Sequence, residues 1–313
     1  MIPEIPRVQP IIGFQDLDST PITYRIEDLL TMEGNLLINA YRKTGKTSLI
    51  LNLLAALTSP ERFLGCYETV PVMGTVVYIN VELHQSMLRK YCLDMGIDKL
   101  NDRVLFQDYR GQVSRFDILD EAWRMDYVDM LRDVKARALV MDPIQPMIAM
   151  HGGNSNDNDE ARKVVEHFSQ IAADAGIDHF IAVDHTGHLD KTRARGASGK
   201  EDWADVIWNI TKDGEGVPER TLTATGRGVD YSCRYTMRDG KLAPIEPPKD
   251  GEITTKGLVI RELRRCPLTV ADLSAKVGKE RSTIAKILGE MLDFGQAKRV
   301  GKQGQAEVWQ LVP

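Results

Sequence analysis

Apolar residues along this chain alternate between short unbroken runs and stripes that recur every three or four positions. The unbroken runs are Asn35–Ala40, Gly74–Glu82, Val104–Gln107, Ala138–Asp142, Phe180–Asp184 and Asp205–Ile210, rich in β-branched residues and of strand length. Between them, Leu49, Ile50, Leu53, Leu54 and Leu57 mark one helix, and Met87, Leu88, Tyr91 and Met95 a second. A third helix is expected over 120–134, and a fourth carries Val164, Val165, Phe168, Ile171 and Ala172 on one face. Strands over 220–225 and 231–238 close the sheet as hairpins. This alternation predicts an α/β fold with a mainly parallel sheet covered on both faces, and ligands at the carboxyl ends of the strands.

Outside that frame the pattern weakens. Residues 1–33 hold four prolines and read as an N-terminal extension with a short helix around Tyr24–Met32. His151–Asn158 is polar and glycine-bearing, and predicts a mobile loop. The stretch 191–200 reads as a basic loop. Residues 241–253, with three prolines, read as a linker, so the expected domains are 1–240 and 254–313. In the second domain helices are expected over 255–265, 268–278 and 280–294, followed by strands at 297–301 and 306–311. Three helices and a β-ribbon spell a winged helix-turn-helix whose third helix presents Lys279, Arg281, Ser282, Thr283 and Lys286 to DNA, with Lys302 in the ribbon turn.

Charge supports the division. Residues 254–313 carry eleven Lys and Arg against six Asp and Glu, a balance of +5 in a chain whose total is −5, so residues 1–253 stand at −10. A local basic excess is the footprint of a DNA-binding appendage; binding of protein by the same domain stays open. No apolar run has the length of a membrane span and no basic-then-apolar leader opens the chain, so a cytoplasmic location and no membrane partner are expected. Cys66, Cys92, Cys233 and Cys266 are scattered, which argues for reduced thiols and against a zinc site.

The chemistry centres on Ala40-Tyr41-Arg42-Lys43-Thr44-Gly45-Lys46-Thr47-Ser48, between the first run and the first stripe. It fits a phosphate loop, with Ala40 where the motif has its first glycine. Main-chain amides and the helix N-terminus cradle phosphates, Lys46 reaches the β- and γ-oxygens of ATP, and the Thr47 hydroxyl holds Mg²⁺. Asp142 suits the second Mg²⁺ position. Glu82, ending the strand expected beside the phosphate-loop strand, suits the group that polarises the attacking water. Helix capping is the alternative for both carboxylates, and Asp184 is a further candidate for either role. His185 stands where a γ-phosphate is sensed, and Arg227 and Arg195, each flanked by glycine, are candidates for an arginine acting across a subunit boundary.

Ala40–Thr47, Val81-Glu82, Val140–Met147, Asp184-His185, and Arg195–Gly199 with Trp203–Ile207 together resemble the RecA-like core of DnaB-type and RepA-type hexameric helicases over residues 20–240. The resemblance implies a ring ATPase with sites between subunits, a homo-oligomer of hexameric type, ATP and Mg²⁺ as cofactors, and single-stranded DNA in the ring. It makes Glu82 the catalytic base, Gln145 and His185 the couplers of phosphate to DNA, and Arg227 the finger. No helical collar like that of DnaB-type helicases precedes the core, and loop 151–158 holds no Lys or Arg. An ATP-gated DNA-binding regulator and a single-strand recombination ATPase therefore remain alternatives to a motor.

Overall fold

A computed structural model of the chain describes residues 11, 13–16, 22–41, 44–100, 102–151, 158–185, 199–212, 214, 217–238, 241–245, 258–260, 262–263, 266–293, 297–304 and 306–311. It divides into two compact units, Thr23–Pro248 and a smaller one of Met1–Ile22 with Lys249–Pro313.

The larger unit is built on a nine-stranded sheet. Its strands are β3 (Leu36–Ala40), β4 (Thr75–Asn80), β5 (Val104–Asp108), β6 (Ala136–Asp142), β7 (His179–His185), β8 (Val206–Lys212), β9 (Arg220–Gly226), β10 (Val229–Arg238) and β11 (Lys241–Pro244). The order across the sheet is β11-β10-β9-β8-β3-β7-β6-β4-β5. From β8 to β5 all pairings are parallel, and β9 to β11 add on antiparallel. Every residue of β3 is buried, because strands flank it on both sides and helices cover both faces. On one face lie α1 (Lys46–Thr58) and α2 (Gln85–Asp94); on the other, α3 (Glu121–Asp133), α4 (Gln145–His151) and α5 (Asn158–Ala175). Ten of the thirteen residues of α1 are buried, so it is enclosed all round and carries no solvent face to speak of. The short α6 (Gly199–Trp203) packs on α5. Among the described residues no helix is long and apolar enough to cross a membrane.

Three segments differ from the sequence expectations. Tyr24–Met32 is not a helix but a hairpin of β1 (Tyr24–Ile26) and β2 (Leu30–Thr31), turned at Asp28 with φ 60°. Its anchor is Arg25, only 5 % exposed, which donates to Asp178 Oδ2 (2.9 Å), His179 Nε2 (3.1 Å) and the carbonyls of Met32, Val70 and Pro71. A buried guanidinium with that many acceptors fixes the local backbone more firmly than helix propensity does. Lys241–Pro244, expected in the linker, extends the sheet as β11, with Leu242 buried. Lys200, expected in a basic loop, is a buried residue of α6. The proposed loop 151–158 lies mostly outside the described residues; His151 itself closes α4, and its Nε2 is bonded to the Phe116 carbonyl at 2.6 Å. Of the four cysteines, all free, Cys92 and Cys233 are buried and Cys266 is exposed.

In the smaller unit residues 258–260 and 262–263 are helical. They are followed by β12 (Leu268–Thr269), α7 (Val270–Val277), α8 (Arg281–Asp293), β13 (Ala297–Gln303) and β14 (Ala306–Leu311). A Thr269/Asp272 capping box starts α7, and Gly278 with φ 69° stops it. Leu273, Ile284, Leu288, Met291 and Trp309 form the core.

His179 makes the larger unit sensitive to acid. Because Arg25 donates to its Nε2, the ring is neutral, with its proton on Nδ1 facing the Gly34 carbonyl at 3.1 Å. Burial first, and the Arg25 charge second, hold its pKa down to about 4. The unfolded chain takes up a proton near pH 6.5 and the folded one does not, so stability is full above that value and falls as pH drops toward about 4. Between pH 7 and pH 5 this group should remove about 2 kcal/mol. Urea unfolding followed by exposure of the buried Trp208 should show that loss, and His179→Gln should flatten it; an equally steep loss in the variant would place the acid sensitivity elsewhere.

Candidate nucleotide site

β3 runs out of the sheet at Ala40, and the chain turns through Tyr41 and Thr44 to Gly45, whose φ of 87° is open to glycine without strain. The Thr44 hydroxyl donates to the Tyr41 carbonyl at 2.8 Å and closes the turn. No side chain caps α1, so the amides of its first turn are left for a ligand. Lys46 opens the helix at 9 % exposure, and its Nζ stands 3.0 Å from Asp142 Oδ1 at the end of β6. The two are in ionic contact but not aligned, and neither atom has a hydrogen-bond partner. The other carboxylate oxygen, Oδ2, accepts from Tyr78 on β4 at 2.7 Å. Burial, with Asp142 beside it, raises the Tyr78 pKa well above its usual value, so the phenol stays a donor.

These groups fit a triphosphate with a divalent ion. An uncapped helix start and a buried ammonium suit the phosphate oxygens; a buried carboxylate oxygen and the half-buried Thr47 suit Mg²⁺. Among the described residues no group of three His, Cys, Asp or Glu side chains is arranged to hold a metal by itself. A cation here would share one carboxylate with phosphate and water, as Mg²⁺ does.

Glu82 does not end a strand next to β3. β7 and β6 lie between β3 and β4, and Glu82 comes two residues after β4 stops. From there its Oε2 lies 3.5 Å from Nε2 of His185, the last residue of β7 and the register partner of Ala40. Glu82 is 56 % exposed, while His185 Nδ1 is buried without a partner. Arg110 donates to the Glu82 carbonyl at 2.9 Å. Asp184 is fully buried, paired with Lys200 and accepting the His185 amide at 2.7 Å. Those contacts take it out of the candidates for base or metal ligand. Gln145, at the start of α4, accepts from Lys200 at 3.4 Å.

The arginines part company. In the β8–β9 register Gly226 faces Val206, and Val206 in turn faces Leu36, so the Arg227-Gly228 turn lies where the parallel strands begin, at the edge opposite the phosphate loop. There Arg227 pairs with Asp205 at 2.7 Å and is 83 % exposed. It cannot reach the site of its own chain. Arg42, Lys43 and Arg195 lie outside the described residues. Arg220, absent from the sequence candidates, does reach the loop: its Nε donates to the Thr44 carbonyl at 2.7 Å and its Nη1 to the carbonyls of Val217 and Glu219, both at 2.8 Å. In the smaller unit Lys279, Arg281, Ser282, Thr283, Lys286 and Lys302 are all exposed. A groove of about 400 Å³ between the start of α7, α8 and the β13–β14 hairpin, with Arg281, Arg299 and Trp309 among its walls, is a feature of that unit.

Residues 4–191 match the AAA_25 family, described as an AAA domain. This chain belongs to that family. No curated protein matches it. Membership makes the AAA domain a P-loop ATPase in general terms, of a class that binds ATP, usually with Mg²⁺. The matched span takes in the phosphate loop, Glu82, Asp142, Gln145 and His185, and ends before Lys200, Arg220 and Arg227.

Because Arg220 grips the loop from outside it, the substitution Arg220→Gln should loosen the cradle without removing any ligand group. A fluorescent ATP analogue should bind about tenfold more weakly, the size expected for one charge-assisted hydrogen bond. Titration of the variant tests this, and affinity equal to wild type would mean that the loop holds its shape unaided.

Proposed function

We propose that this AAA domain chain is a DNA-dependent ATPase that works as a ring of identical subunits, a RecA-like helicase or replication motor of the DnaB and RepA type. One observation carries the reading: Lys46, Asp142, Glu82 and His185 share one edge of the sheet, while an exposed Arg227 stands at the other. In this mechanism the start of α1 and Lys46 hold the phosphates of ATP. Thr47 and Asp142 would hold Mg²⁺, which would supply positive charge to offset that of the phosphates. Glu82 takes the proton of the attacking water as its oxygen bonds to the γ-phosphorus and the bond to ADP breaks. Gln145 and His185 sense the γ-phosphate, and Arg227 of a neighbouring copy stabilises the charge that develops.

DNA is assigned to two places. The smaller unit, read as a winged helix-turn-helix, offers the exposed start of α8 and Lys302 of its hairpin to duplex DNA, in the part of the chain that carries +5. Single-stranded DNA is assigned to the ring. A second reading, an ATP-gated DNA-binding regulator, is favoured by one feature: residues 151–158 hold no Lys or Arg, whereas the C-terminal residues are basic.

ATP turnover should rise when single-stranded DNA is added and vanish in Lys46→Ala. Arg227→Ala should also be inactive alone, yet mixing the two variants should restore part of the activity, because some sites then combine an intact loop with an intact arginine. Wild-type turnover no higher than that of Lys46→Ala would rule out the ATPase, and inactive mixtures would rule out an arginine supplied by a neighbour.

For binding to duplex DNA the readout is salt dependence. Removing residues 254–313 should make DNA affinity fall less steeply with salt, by about one unit of log–log slope for each DNA phosphate that the smaller unit neutralises. An unchanged slope would assign those phosphates to the larger unit.

A further inference from the structure

Lys200 is a lysine with no exposed surface, placed beside the site but outside the machinery described above. Its ammonium pairs with Asp184, also fully buried, and donates to Gln145 Oε1 at 3.4 Å. The second oxygen of Asp184 accepts the amide of His185. One side chain on α6 thus joins the start of α4 to the end of β7. Removing an ammonium and a carboxylate from water costs several kcal/mol per ion, and their attraction only roughly offsets this, so an apolar pair of similar volume would hold the fold as well. Stability therefore gives little reason for the pair. Position gives one, because the groups it ties down are Gln145 and the His185 end of β7, and His185 in turn faces Glu82.

We propose that Lys200 is a positioning residue for γ-phosphate recognition: it holds Gln145 and His185 in fixed relation, so that the site distinguishes ATP from ADP. The proposal rests on the nucleotide reading given above. Lys200 touches no reacting atom and acts through Gln145 and through Asp184 to His185.

Lys200→Met alone leaves a buried carboxylate without its counter-charge and is expected to unfold the unit. Lys200→Met combined with Asp184→Asn removes both charges, and Lys200→Met combined with Asp184→Leu replaces the pair by apolar side chains, each leaving Gln145 in place. Each is titrated with fluorescent ADP and with a fluorescent non-hydrolysable ATP analogue, and assayed for ATP turnover. In both variants ADP affinity should stay within about twofold of wild type, whereas preference for the analogue over ADP and turnover should each drop about tenfold. A merely structural lysine would not move that preference. If either variant folds and keeps both quantities within about twofold of wild type, the proposal is overturned. Wild-type protein that binds neither nucleotide overturns the nucleotide reading itself, an outcome visible before any variant is made.

Discussion

The contact between Lys46 and Asp142 sets the terms for the rest of the larger unit. An ammonium and a carboxylate, both about nine-tenths buried or more, sit 3.0 Å apart without hydrogen-bond alignment. Breaking such a pair by removing one partner is expected to cost about 3–5 kcal/mol, while keeping it adds little to stability. It therefore needs a sheet rigid enough to hold two charges face to face. The strand order supplies the distance. Neighbouring strands lie about 4.8 Å apart, which puts β6 about 10 Å and β4 about 14 Å from β3. A lysine at the start of α1 spans the first gap. Glu82 answers the second by lying past the end of its strand, where it reaches back to His185 on β7.

The two edges of the sheet handle buried polarity differently. Where the parallel strands begin, Arg25, Asp178 and His179 are knitted together, with Arg137 also paired to Asp178 and the guanidinium of Arg25 bonded through all three nitrogens. Where they end, Asn39 Oδ1, Lys46 Nζ, Asp142 Oδ1 and His185 Nδ1 are buried with no hydrogen bond. Arg137 Nε is the exception at the first edge, on a side chain that is 41 % exposed. Buried polar atoms without hydrogen bonds cost free energy, and a fold tolerates a cluster of them where a ligand completes the set. The same sheet is closed at one end and left open at the other.

What could be read from the chain alone follows from the range of the interactions. The phosphate loop is local: strand, turn and helix lie within residues 36–58. The strands were legible because a buried parallel sheet demands unbroken apolar runs. Lys200 was not, because in sequence it closes a basic stretch, while its partners lie 16 and 55 residues away. Arg220 grips a carbonyl 176 residues distant, and nothing beside it signals that. The β1–β2 hairpin was hidden for the same reason, since most of the groups that hold Arg25 lie more than forty residues on. Strand order failed differently. Consecutive strands are neighbours about two-thirds of the time, and β3 and β4 belong to the remainder.

The separation of Arg227 from its own loop also constrains assembly. Strands of seven residues are about 23 Å long, so an arginine at their start and a phosphate loop at their end face opposite ways. A two-fold contact repeats a single patch on both copies and cannot bring both edges into one interface. If Arg227 serves a neighbour's site, the contact must be head-to-tail, with the arginine edge of one copy against the loop edge of the next. Such contacts propagate until rotation closes them, into a ring, or leave them open, as a filament. That choice turns on the angle between successive copies, and it is the physical difference between a ring motor and a coating ATPase built on the same sheet.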